Sequence, residues 1–148
     1  MVTSAEDLLT KEERKRVAQA IAQAEQATSS EIRVHLEDHI EEDVLDHAAY
    51  IFEELGMHRT ADRNGILIYI CVADRQMAVI GDKGINEKVP EGFWNGVIEA
   101  LRRNFQGGNF AAGLIEAVEM VGELTSTHFP RRGNDRNELS NEVSFSRK

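Results

Sequence analysis

Apolar positions change period several times along the chain, and each change marks an element. Val17, Ile21 and Ala24 recur at helical spacing behind a Thr10/Glu13 capping box, so a helix runs from residue 10 to the polar stretch at 28–30. Residues 31–37 then alternate, with Ile32, Val34 and Leu36 on one side and Glu31, Arg33, His35 and Glu37 on the other. That pattern predicts a strand with one well-buried face. Asp43 is placed to cap a second helix carrying Ile51, Phe52 and Leu55, and Gly56 suits its left-handed end. Residues 65–73 are apolar on both faces, as in a central strand covered by helices on each side. Asp74-Arg75 then reads as a two-residue break before a third strand at 76–80, making an antiparallel hairpin. Residues 81–90 read as a loop. Two further helices, at 91–105 and 109–128, are separated by Gln106-Gly107-Gly108.

The order helix, strand, helix, strand, strand, helix, helix predicts an α/β fold, a three-layer α/β/α sandwich. Its small mixed sheet combines a parallel pair with the antiparallel hairpin. One domain covers residues 1–129. Residues 130–148 lack periodicity and read as a mostly flexible tail, with Val143, Ser144 and Phe145 as a docking stub.

Charge narrows the partners. With 17 Lys+Arg against 26 Asp+Glu the net charge is −9, which disfavours nucleic acid and anionic membrane surfaces and suits divalent cations. A single cysteine excludes an internal disulfide, and neither a leader-like N-terminus nor a span of the ~20 apolar residues that cross a bilayer is present. A soluble, cytoplasmic monomer is the expectation.

Chemistry is expected at the two ends of the sheet. At the carboxyl edge of the parallel strands, where open α/β sheets collect ligands, stand Asp74-Arg75 and Glu37-Asp38-His39. At the opposite edge the loops 61–65 and 81–84 are neighbours, because the third strand returns to where the second began. Asp62, Asn64, Asp82 and Glu31 therefore supply oxygen ligands from one region, the donors that hard cations take. Turn formation alone also explains Asp, Asn and Gly in these loops. The five histidines lack the i, i+4 spacing with glutamate used by zinc proteases, Cys71 reads as a buried apolar residue, and Phe93 and Trp94 read as core. No phosphate-binding loop, dinucleotide fingerprint or GxSxG elbow occurs.

Three segments taken together carry a resemblance. Asp62-Arg63-Asn64-Gly65-Ile66-Leu67-Ile68, Ala73-Asp74-Arg75-Gln76-Met77-Ala78-Val79 and Gly107-Gly108-Asn109-Phe110-Ala111-Ala112-Gly113-Leu114 resemble the core of the TPM domain family, known also as the thylakoid acid phosphatase or photosystem repair type. The resemblance spans residues 10–129. It implies a helix-covered sheet and a divalent-cation site, calcium before magnesium, and for plant relatives an acid phosphatase activity. Asp62 and Asn64 match the polar residues before the central strand, Asp74 and Arg75 match the hairpin turn, and Asn109 stands where relatives often carry Asp. Relatives commonly carry a leader and a membrane span, so this chain looks like a soluble branch.

The expected function is a divalent-cation module with Glu31, Asp62, Asn64, Asp74, Asp82 and Asn109 as ligands. The alternatives are a metal-assisted acid phosphatase, in which Arg63 and Arg75 clamp phosphate, and an adaptor that docks a protein partner through its surface or tail. No nucleophile is marked.

Overall fold

A computed structural model of the chain describes residues 4–131 and 141–146. In order, the elements are α1 (Ala5–Leu8), α2 (Lys11–Ala24), β1 (Ile32–Glu37), α3 (Val44–Glu54), a 3-10 turn (Met57–Arg59), β2 (Ile66–Cys71), β3 (Gln76–Gly81), α4 (Lys83–Asn86), α5 (Asn95–Gln106), α6 (Phe110–His128) and β4 (Ser144–Ser146). The sheet runs β3-β2-β1-β4. β1 is parallel to both β2 and β4, and β3 is antiparallel to β2.

Local chemistry starts the helices where expected. Thr10 Oγ1 accepts from Glu13 N–H at 3.1 Å while the Glu13 carboxylate accepts from Thr10 N–H at 2.8 Å. Two of the orphan donors of α2 are thereby satisfied. Asp43 accepts from Leu45 and Asp46 N–H at the start of α3, and Gly56 ends that region at φ 71°.

The pleat of the sheet divides the core in two. Ile32, Val34, Leu36, Ile66, Ile68 and Ile70 pack against residues of α2, α5 and α6, including Ile21, Leu101, Leu114 and Val118. Leu67, Tyr69, Cys71 and Ala78 point the other way, onto Ala48, Ile51 and Phe52 of α3. Helices therefore cover both faces, and all six residues of β2 are buried, as its apolar run requires. Among the described residues no helix is long and apolar enough to cross a membrane.

Four local expectations change. The break between β2 and β3 is four residues, 72–75, because Val72 N–H and Ala73 N–H still donate to the carbonyls of Glu37 and Asp38, and Arg75 N–H closes the turn on Val72. Burial is not confined to the one apolar face of β1: Glu31, just before the strand, and His35 and Glu37 within it are each at most 3% exposed. The stretch after β3 holds the short helix α4, whose first N–H is capped by Asp82 at 2.8 Å. Upstream of the Thr10 cap, Ser4 caps α1.

Of the tail, residues 132–140 and 147–148 lie outside the described residues. The 143–145 stub falls beside β1. His35, Leu36 and Glu37 pair in parallel with Ser144, Phe145 and Ser146 of the same chain.

Candidate functional site

The carboxyl end of β2 opens onto a cleft. Its borders are the 72–75 turn, the end of α1 and the turn at 107–109 between α5 and α6, whose place in the fold no local pattern reveals. Gly108 takes φ 78°, a left-handed value that costs glycine little, and lets this turn fold back. The cavity measures about 770 Å³. Leu8, Ile70, Val72, Met77, Phe105 and Phe110 wall it, and Arg75, Gln76, Arg102 and Gln106 line its exposed mouth. Phe105 and Phe110 meet edge to face at 5.2 Å.

Arg75 sits at φ 54°, and Arg63 at φ 51°; no other non-glycine among the described residues has a positive φ. A side chain with Cβ disfavours this conformation by ~1–2 kcal/mol, and such residues gather at functional positions. The two arginines differ in engagement. Arg63 grips Asp82, Nε to Oδ2 at 2.7 Å and Nη2 to Oδ1 at 2.9 Å. Among the described residues no carboxylate pairs with Arg75.

Asp74 stands at the same edge with its carboxylate already engaged. It accepts from the Cys71 thiol at 2.9 Å and from Ile40 N–H at 3.0 Å, and His39 Nδ1 lies 2.9 Å away. The thiol, then the Ile40 N–H, then His39 hold Asp74 below its ordinary value. Cys71 moves the other way: burial first, and donation to Asp74 next, push its thiol up to about 12. At neutral pH it is a closed thiol and a poor nucleophile.

A second polar cluster lies beneath α3. Glu37 Oε1 is 3.0 Å from His47 Nε2 and accepts from the Tyr69 hydroxyl at 3.3 Å. His47 Nδ1 is 2.7 Å from Glu42, and His35 Nδ1 is 2.8 Å from Ser144 Oγ. Burial, with Arg33 and His47 nearby, lowers His35 to about 4, so it is neutral at physiological pH. Burial first, then the Glu37 charge, raises Tyr69. The alternation in β1 showed one well-buried face and left its polar face unassigned, which hid this cluster. The signal that reveals it is the helix that follows at once, which must fold back over those alternates and brings His47 down onto Glu37.

At the opposite edge the backbone gathers the expected loops. Ile66 N–H donates to Glu31 at 2.8 Å, Asp82 N–H to Gly65 at 2.9 Å and Gly84 N–H to Arg63 at 2.8 Å. A Cβ at Gly84 would clash with the Asp62 carbonyl, so only glycine permits this approach. The side chains are less available. Asp82 is held by Arg63 and caps α4; Asn64, 2% exposed, donates to Ser29 Oγ at 3.2 Å. Glu31 is buried next to Glu25, whose carboxyl burial raises to about 8. Asp62 lines a hollow of about 350 Å³ with Glu87 and Lys88. The six expected ligands thus divide: Glu31, Asp62, Asn64 and Asp82 at one edge, Asp74 and Asn109 at the other. Among the described residues no three His, Cys, Asp or Glu side chains are grouped so as to hold a metal ion. Asp82, paired with Arg63, is already committed to another partner.

Three comparisons place the chain among known proteins. No curated protein matches it. The solved structure of the BA42 protein from the psychrophilic bacterium Bizionia argentinensis is 41% identical, with a TM-score of 0.90 over 98% of this chain and 100% of that one. The N-terminal domain of a protein from P. gingivalis is 18% identical, with a TM-score of 0.67 over 86% and 84%, a likeness of fold. The TPM domain family model matches residues 2–124, and the chain belongs to the TPM domain family.

Proposed function

We propose that this TPM domain is a binding module, and that its ligand seat is the cleft at the carboxyl end of β2. One observation carries the reading: a cavity of about 770 Å³ with apolar walls and a polar mouth lies where open α/β sheets take their ligands. Catalysis is less supported. Cys71 holds its proton, Asp74 is engaged by three partners, and of the two arginines read as phosphate clamps Arg63 is spent on Asp82. The test is a small-molecule screen on the full chain by heteronuclear NMR. Hits should move the resonances of Arg75, Phe105 and Phe110 together; hits that scatter over the surface, or none, contradict the reading. A chromogenic phosphate ester assayed at acidic pH, with Asp62→Ala and Asp74→Ala beside the wild type, tests the acid phosphatase alternative. Turnover lost in either variant would favour catalysis.

A second reading is a divalent cation, calcium or magnesium, at the opposite edge. What favours it is the backbone convergence at Glu31, Gly65 and Gly84 in a chain of net charge −9. It requires Asp82 to exchange Arg63 for the ion.

A further inference from the structure

The walls and the mouth of the cleft differ in character, and the difference specifies a ligand. Ile70, Val72, Met77, Phe105 and Phe110 present hydrocarbon, and the mouth carries Arg75 and Arg102. Two guanidinium groups at one opening stand out on a chain of net charge −9. Neither is neutralised by a strong partner. Arg75 pairs with no carboxylate among the described residues, and Arg102 meets Glu99 at 3.6 Å with both side chains more than half exposed, a geometry that contributes little. Arg75 is also held in a left-handed backbone conformation that a glycine would take without cost.

We infer that the cleft binds a monoanionic amphiphile, of which an acyl carboxylate is the simplest form. The acyl chain lies along the aromatic and aliphatic walls, and the carboxylate meets the guanidinium groups of Arg75 and Arg102 at the mouth. The inference rests on the reading of this cleft as the ligand seat. A volume of about 770 Å³ falls within the ~300–1,000 Å³ of small-molecule sites and accommodates a medium-length chain. Each methylene buried there multiplies affinity about fourfold. An arginine–carboxylate contact adds charge-assisted hydrogen bonds that a neutral head lacks.

The experiment titrates the isotope-labelled chain with decanoate and decylammonium below their micellar concentrations and decanol below its solubility limit, with octanoate as the shorter-chain control, and then carries decanoate through its micellar concentration. Decanoate should perturb Phe105, Phe110 and Arg75, bind about tenfold tighter than decanol, and bind tighter than octanoate. Decylammonium should bind weakest. Arg75→Gln and Arg102→Gln should each lower decanoate affinity while leaving decanol affinity unchanged, with spectra that show an intact fold. Equal binding of decanoate and decanol, indifferent to both substitutions, overturns the anion inference and leaves the cleft reading standing. Failure of all three ligands to perturb the cleft overturns both. Perturbation by decanoate only once micelles form also overturns it, in favour of a lipid surface.

Discussion

Arg63 and Asp82 are joined at two points across the amino edge of the sheet, 2.7 and 2.9 Å, and this pair stands between the gathered loops and a cation. Arg63→Gln releases the Asp82 carboxylate. Without divalent ions the variant should melt below the wild type, since a nearly buried charge has lost its partner. Millimolar calcium should then raise its Tm more than it raises that of the wild type, because a ligand bound only by the folded form stabilises it. If thermal melts show no calcium response in either protein, the cation reading is finished.

Arg75 predicts a trade of stability against binding. Arg75→Gly removes a Cβ from φ 54° and should leave the protein about 0.5–1 kcal/mol more stable, or at least no less stable. The same variant should lose its preference for anionic ligands in the cleft. Chemical denaturation and ligand titration on one preparation read both. A clear loss of stability would mean that the Arg75 side chain supports the fold.

Two buried groups shape the pH profile of stability in opposite senses. His35 is lowered from 6.5 to about 4, so the unfolded chain takes up its proton first and stability falls as pH drops from 6.5 towards 4. Glu25 is raised from 4.5 to about 8, so the folded chain keeps its proton longer and stability falls as pH rises from 4.5 towards 8. Between 4.5 and 6.5 the two slopes offset each other. Above 6.5 the His35 slope ends, and the buried Glu25–Glu31 pair leaves a net loss of stability as pH rises towards 8. Glu25→Gln keeps an acceptor for Ile32 N–H and should flatten that alkaline limb in denaturation curves taken at each pH. A limb that persists in the variant assigns the slope elsewhere.

The tail strand carries a further prediction. β4 covers the free edge of β1 through the Ser144–His35 contact, and Arg14 lies over the Phe145 ring at 4.9 Å. Phe145→Ala should cost about 1 kcal/mol, below the ~3–5 kcal/mol of a fully buried phenylalanine. Removing residues 141–148 should expose an unpaired strand edge and promote self-association, visible by sedimentation. A truncated chain whose association state and stability match those of the intact chain would show that β4 is dispensable, and would revive the adaptor reading in which the tail serves a partner.

What was legible in the sequence was local. The Thr10/Glu13 box, the Asp43 cap, Gly56 and the unbroken apolar run of β2 each act within a turn or a strand, so period and cap chemistry reveal them directly. The convergence of the 61–65 and 81–84 loops followed from strand direction. The site was harder. The 107–109 turn joins the cleft only because α5 and α6 pack as they do on the sheet, and the burial of Glu37 and His35 depends on α3 folding back above them.

By itself, then, the chain's sequence determined the longer elements α2, β1, α3, β2, β3, α5 and α6 and the mixed sheet with helices on both sides, because short-range periodicity and hydrogen-bonding propensity specify these; α1, α4 and β4 escaped it, and the family rested on the likeness of three segments. Tertiary structure alone decided which charges are spent and which remain for a ligand. Asp82 meets Arg63 across 19 positions, Asp74 meets His39 across 35, and His35 meets Ser144 across 109. Partnerships over such distances are set by how the layers pack, and no local pattern in the chain encodes them.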